Sequence, residues 1–187
     1  MDLFLLDLIL KGKIHESDRI LDAGCGSGRN SLFFLNQRFD IKAIDNREVE
    51  VKTANFMSRS LAGKDMCILG DLIQIPFEVA SFDLIICSRV LHFSDCEKGF
   101  KQMLSELKRV LAPTGMLYLS MASQIGFDEE VEQLEDGKAQ FRDGSIRFVL
   151  TRQLLNELEK EWKHVELPRT ILFDQEHAET TLVLTPT

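Results

Sequence analysis

The sequence predicts a doubly wound α/β domain built on a mostly parallel sheet of seven strands, and three observations carry that expectation. Short apolar runs alternate with helical stretches from about residue 18 to residue 122, the rhythm of βαβ units whose sheet is covered on both faces. The first run, Ile20-Leu21, closes with Asp22 and is followed by Gly24, Gly26 and Gly28 at every second position. Glycine tolerates positive φ and has no Cβ, so a strand, glycine turn and helix in succession bring backbone close to a ligand. Asp45 ends the second run, where nucleoside-binding α/β folds place a carboxylate on the ribose hydroxyls.

Taken in order, residues 2–13 read as an amphipathic helix with Leu3, Leu6 and Leu10 on one stripe. The glycine turn leads into the helical face Ser31-Leu32-Phe33-Phe34-Leu35, and Ile41–Ile44 is the second strand. A helix over Glu48–Ala62, a strand over Met66–Leu69 and a strand over Phe82–Cys87 follow. Lys98–Leu111 carries Phe100, Met103, Leu104, Leu107 and Leu111 on one helical face and is expected to stop at Pro113 and Gly115. Met116–Met121 is the fifth strand. Residues 123–149 break the rhythm, with an acidic run and then a hairpin turning at Asp143-Gly144. An insertion there, over the carboxyl ends of the strands, is expected to be a lid or acceptor-binding loop. Thr151–Trp162 returns to helix, and Val165–Leu172 and Thr180–Thr185 supply two last strands.

Length and composition bound the function. At 187 residues, 44% hydrophobic and 28% charged, the chain is expected to form one domain over residues 1–187. The net charge of −8 comes with no basic stripe, which disfavours a nucleic-acid substrate. The first apolar run is too short for a membrane span and lacks the basic start of a signal peptide. Cys25, Cys67, Cys87 and Cys96 form no C-x-x-C pair, so neither a disulfide framework nor a metal site is expected, and a reducing cytoplasm fits. His15, His164 and His177 stand outside any motif and are expected at the surface.

Asp22-Ala23-Gly24-Cys25-Gly26-Ser27-Gly28 resembles the first motif of class I S-adenosylmethionine-dependent methyltransferases. The run on through Arg29-Asn30-Ser31-Leu32 and Phe39–Asn46 is similar to the tellurite-resistance methyltransferases and other small-molecule members of that family. Ser81–Phe93 and Leu107–Gly115 resemble the fourth motif and the helix after it, without the Asn/Asp-Pro-Pro-Tyr of methyltransferases that act on amino groups of DNA and protein. The resemblance implies a Rossmann-like sheet whose last two strands pair antiparallel at the edge. It implies S-adenosylmethionine as cofactor, S-adenosylhomocysteine as product and a small molecule as methyl acceptor. It also implies site roles. Gly24, Cys25, Gly26 and Gly28 form the cofactor loop, and Asp22 faces the ammonium of the methionine end; Arg29 beside it either neutralises the cofactor carboxylate or lies on the surface. Asp45 and Asn46 hold the ribose, while Gly70, Asp71 and Leu72 read the adenine. Ser88 and Arg89 end the fourth strand at the cofactor.

His92, the one histidine inside a ligand-facing motif, is the candidate catalytic residue, either as a general base or as a histidine that shapes the pocket and covers the cofactor. Cys25 is expected to save space in the loop, since no histidine partners it. Members of the family usually carry more sequence before the first strand, so a cofactor-covering N-terminal segment is expected to be supplied differently here. Two rivals share parts of this pattern: a catalytically silent cofactor-binding subunit, and a nicotinamide-dependent dehydrogenase. Arg29, standing where a dinucleotide fingerprint has its third glycine, disfavours the latter.

Overall fold

The computed structural model describes residues 1–126, 134–141, 143–173 and 178–187. In chain order the helices are α1 (Leu3–Leu10), α2 (Ser31–Asn36), α3 (Glu48–Ala62), α4 (Glu97–Val110) and α5 (Arg152–Leu158). The strands are β1 (Arg19–Ala23), β2 (Asp40–Asp45), β3 (Cys67–Leu69), β4 (Phe82–Ser88), β5 (Leu111–Ser123), β6 (Lys138–Gln140), β7 (Ile146–Phe148), β8 (Trp162–Leu172) and β9 (Ala178–Pro186). Seven strands form one sheet in the order β3-β2-β1-β4-β5-β9-β8, and β6 with β7 make a separate hairpin. β1 to β5 run parallel. β9 is antiparallel to both neighbours, so the reversed strand lies one place in from the edge, which β8 occupies.

The sheet is buried on both faces. One face packs Leu5 and Leu8 of α1, Phe34 of α2 and Ala54 of α3 against Ile20, Leu84, Ile86, Tyr118 and Val183. The other packs α4 and α5, through Phe100, Leu104, Leu107 and Leu155, against Leu21, Ile85, Leu117 and Leu119. Covered on both sides, β4 reads as a nearly continuous apolar run without alternation. Among the described residues no helix is long and apolar enough to cross a membrane.

Three elements differ from expectation for physical reasons. α1 turns Leu5 and Leu8 inward and leaves Leu3 and Leu10 exposed. The Leu3/Leu6/Leu10 stripe fails because the helix is anchored from its first residue: Asp2 caps it by accepting the Phe4 amide and is itself held in the sheet. β5 begins at Leu111, directly after α4, and runs through Pro113 and Gly115. Leu111 takes an extended conformation (ψ 137°) and pairs with Phe82, so tertiary pairing ends α4 before the expected stop. α5 ends at Leu158, because Trp162 and Lys163 join β8 opposite Pro186 and Thr185. Its start is as read: the Thr151 hydroxyl accepts the Leu154 amide.

The hairpin forms at the predicted turn. Gly144 has φ +80°, and the Phe141 amide donates to the Ser145 carbonyl at 2.8 Å. It is tied to the main core by Phe148, whose ring stacks on Phe100 at a centroid distance of 5.0 Å. The acidic residues Asp128, Glu129, Glu130 and Glu132, together with Phe127, Arg142 and His177, lie outside the described residues. His164, expected at the surface, is partly buried on β8 with Nε2 2.9 Å from Glu159.

Phe100 is fully buried and joins α4, the sheet and the hairpin. Phe100→Ala is expected to destabilise the fold by about 3–5 kcal/mol. The melting temperature should then fall by roughly 10 °C, read by circular dichroism. A change under about 2 °C would show that the cavity collapses at little cost.

Candidate active site

The glycine loop is shaped by the end of β2. The amides of Gly24 and Cys25 both donate to the Ile44 carbonyl, at 2.8 and 3.1 Å. Gly24, Gly26 and Gly28 all have positive φ, at +80°, +54° and +94°. At Gly24 the demand is also steric, since a Cβ would meet Val90 Cγ2 at 2.4 Å. At Gly26 a Cβ would meet nothing nearer than 3.9 Å, so this backbone forms an open floor.

Asp45 is buried beside that floor. Its Oδ2 accepts the Gly26 amide at 2.8 Å and its Oδ1 the Arg47 amide at 2.9 Å. Each carboxylate oxygen keeps acceptor capacity after one such bond. The carboxylate lines a cleft of 830 Å³ at the carboxyl ends of β1 to β4, a size within the roughly 300–1,000 Å³ of small-molecule sites. Gly24, Gly26, Asn46, Gly70, Asp71, Leu72 and Arg89 line the same cleft. So do residues the sequence did not single out for the site: Arg47, Ile73, Val90 and Phe93, and Lys98 and Gly99 from the start of α4. Their common signal is position, immediately after a strand or at the first turn of the next helix, where open sheets bind ligands.

Asp71 uses Oδ1 to accept the Ile73 amide at 3.0 Å, capping the turn after β3. Arg89 adopts φ +63°, uncommon outside glycine. Its amide donates to the Ser120 carbonyl and its Nε to Glu179 at 2.7 Å, bonds that hold the strained conformation. Arg29 is exposed and reaches the Ser88 hydroxyl at 3.4 Å; neither residue is among those lining the cleft.

Asp22 lies under the loop, fully buried, with Oδ2 accepting both the amide and the hydroxyl of Ser31 at 3.1 and 2.5 Å. Burial pushes its carboxyl up to about 6, against the lowering effect of Ser31. Cys25 turns its thiol into the core, 3.3 Å from the Cys67 sulfur, and together the neighbouring thiol and burial raise it far above the ordinary range. It is therefore a space-filling residue, and its cofactor role reduces to its backbone. Gly28 packs toward Leu32 and Met66 and serves the turn.

His92 is not among the residues that line the cleft. It lies in a 3-10 turn (Leu91–Phe93) that packs against β7, and its side chain is buried. Burial first, then the positive charges of Arg147 and Arg89, bring its pKa down to about 4. Nδ1 accepts the Ala122 amide at 3.4 Å, so the proton of the neutral ring sits on Nε2. With Nδ1 engaged and the proton on Nε2, this tautomer offers no free lone pair for an acceptor proton, which weighs toward a packing role and against a base. Arg147, expected on the acceptor side, pairs with Asp143 at 3.1 Å and lies over the Phe141 ring at 4.8 Å. Among the described residues no three His, Cys, Asp or Glu side chains converge as a metal site.

A mostly parallel sheet with a glycine loop after its first strand, a carboxylate at the tip of the second and a cleft across the strand ends defines a Rossmann-like α/β domain. Residues 21–119 match the methyltransferase domain family, and the chain belongs to it. A relative named as an uncharacterized methyltransferase of Bacillus subtilis is 30% identical over 101 residues, covering 52% of this chain and 40% of that protein. The chain spans 35–40% of the length of the first three curated relatives it matches. Two solved structures share the fold. One is an S-adenosylmethionine-dependent methyltransferase of Methanosarcina mazei, with TM-score 0.74, 20% identity and coverage of 95% of this chain and 96% of that one. The other is the 1,6-didemethyltoxoflavin-N1-methyltransferase of Burkholderia thailandensis with its substrate and S-adenosylhomocysteine bound, with TM-score 0.70, 19% identity and coverage of 95% and 75%.

The Asp22 pKa has a testable sign. A carboxyl raised from 3.8 to about 6 in the folded state favours folding while protonated, and that contribution is lost as pH rises through 6. Its size is on the order of 3 kcal/mol. The stability of Asp22→Asn relative to wild type should therefore climb between pH 4.5 and 7.5, measured by urea unfolding. Parallel pH curves for the two proteins would show that Asp22 is not strained by burial.

Proposed function

We propose that this chain binds S-adenosylmethionine in the cleft at the strand ends and moves its methyl group to a small-molecule acceptor. The observation that carries this reading is Asp45, a carboxylate fixed by two amides at the rim of an open glycine floor. Its remaining acceptor capacity matches two vicinal ribose hydroxyls. Leu72 and Val90, both lining the cleft, offer apolar surface for a base, and Asp71 stands beside Leu72 for an exocyclic amine. Arg29 in place of a third glycine leaves no close helix approach for a pyrophosphate, which favours a nucleoside ligand.

S-adenosylmethionine, when bound, supplies an electrophilic sulfonium methyl that is transferred in one in-line displacement. The chain's own contribution is then proximity, orientation and exclusion of water. Asp45 and the glycine floor set the direction of the nucleoside. Asp22, costly to ionise when buried, is stabilised in its charged form by an ammonium placed beside it. His92 stays neutral at pH 7 and offers an Nε2 proton as a donor. With His92 neutral and its Nδ1 engaged, an acceptor that carries its own nucleophilic lone pair is favoured. The β6–β7 hairpin, with Phe141 and Arg147, forms the acceptor-side wall. The Burkholderia enzyme's toxoflavin precursor and the acidic net charge both support a small acceptor over nucleic acid.

S-adenosylhomocysteine at ~100 times its dissociation constant is expected to stabilise the protein by roughly 2.7 kcal/mol, raising the melting temperature, while NAD has no effect. The reverse pattern would replace the methyltransferase reading with a dehydrogenase. Asp45→Ala removes charge-assisted hydrogen bonds of about 1.5–3 kcal/mol each. S-adenosylhomocysteine affinity should fall at least about tenfold in calorimetry, in a protein that remains folded. Unchanged affinity would take Asp45 out of the site.

A further inference from the structure

We infer that Asp2 is a positioning residue for the methionine end of the cofactor, its carboxylate holding Ser88, the partner of Arg29, while its amide is anchored on Asn30. The inference rests on the cofactor reading above. Asp2 is 7% exposed, a low value for a carboxylate next to the chain start. Capping α1 accounts for one of its bonds, the Phe4 amide donating to Oδ1 at 3.1 Å. Three others leave the helix. The Tyr118 hydroxyl donates to Oδ1 at 2.6 Å, the Ser88 hydroxyl to Oδ2 at 3.1 Å, and the Asp2 amide donates to Asn30 Oδ1 at 2.9 Å. These partners lie 116, 86 and 28 positions away in the chain.

The partners matter because of what stands next to them. Ser88 also receives Arg29 Nη2 at 3.4 Å and contacts the Ser120 hydroxyl at 3.1 Å. Asn30 directly follows Arg29 and directly precedes Ser31, which holds Asp22. Asn30 thus accepts the Asp2 amide and the next residue, Ser31, donates to the Asp22 carboxylate, while the Asp2 carboxylate is held by Tyr118 and Ser88, with the exposed Arg29 guanidinium on Ser88. A zwitterionic amino-acid tail is complementary to this arrangement, with its ammonium toward the carboxylates and its carboxylate toward Arg29. Burial and the Asp2 bond also raise the Tyr118 phenol far above its ordinary range, so Tyr118 remains a donor and the clasp keeps its polarity. An N-cap alone needs neither Ser88 nor Asn30.

The discriminating probes are S-adenosylhomocysteine and 5′-methylthioadenosine, which share the nucleoside and sulfur but differ in the amino-acid tail. Calorimetry on Asp2→Ala is expected to show S-adenosylhomocysteine binding weakened about tenfold or more, and 5′-methylthioadenosine unchanged within about twofold. Equal losses for the two ligands would reduce Asp2 to a fold-stabilising cap and overturn the inference, as would no loss for either. Should Asp2→Ala fail to fold, Asp2→Asn keeps an acceptor for Tyr118 and Phe4 while removing the charge. A loss confined to S-adenosylhomocysteine is again expected, and its absence overturns the inference. A wild-type protein that binds neither ligand overturns the cofactor reading itself, and the Asp2 role falls with it.

Discussion

The carbonyl of Ile44 accepts the amides of both Gly24 and Cys25, and one residue later the Asp45 carboxylate accepts the amide of Gly26. These three bonds pin the turn after β1 onto the tip of β2, and the remaining features of the cleft follow from that join. The turn cannot be held there by ordinary residues, because its backbone runs through positive φ at every second position. With the loop pinned, Val90 closes against Gly24 from the β4 side, and the strand ends open between the loop and the start of α4. Parallel strands make such an arrangement available, since the turns after β1 to β4 emerge at the same edge of the sheet.

The same region holds polar groups that burial disfavours. Asp22 ionises with difficulty, His92 is kept neutral, and Arg89 holds a left-handed backbone against its side chain. Each is held by specific partners: Ser31 for Asp22, the Ala122 amide for His92, Ser120 and Glu179 for Arg89. Conformational cost concentrated at one edge of an otherwise apolar sheet is the usual signature of a functional site. The two large clusters on the faces of the sheet supply the stability against which that cost is set.

How much was legible in advance depended on the range of the interaction that decides each feature. α3 falls over Glu48–Ala62 as read, because its pattern and its Gly63 C-cap are local. The hairpin is likewise written in Asp143-Gly144. Asp45 was legible because a strand tip and a spacing from Gly24 place it. The rotation of α1 was not, since Asp2 is held by residues as distant as Tyr118. Nor was the early start of β5, where pairing of Leu111 with Phe82 overrides the helical face that Leu111 otherwise continues. Whether His92 acts as a base or packs around the site stayed open, because sequence position shows that a residue follows β4 but not which way its ring nitrogens are engaged.

The sequence by itself determined the order of strands and helices, the glycine turn and the carboxylates around it, because periodicity and glycine's freedom are properties of neighbouring residues. Only the tertiary structure decided what those carboxylates and their neighbours do. Burial raises Asp22 and silences Cys25, the hairpin and β5 enclose His92, and Asp2 bonds Tyr118 and Ser88 across the sheet. Desolvation and hydrogen-bond partnership depend on what packs against a group from far away in sequence, and that information exists only once the sheet has formed.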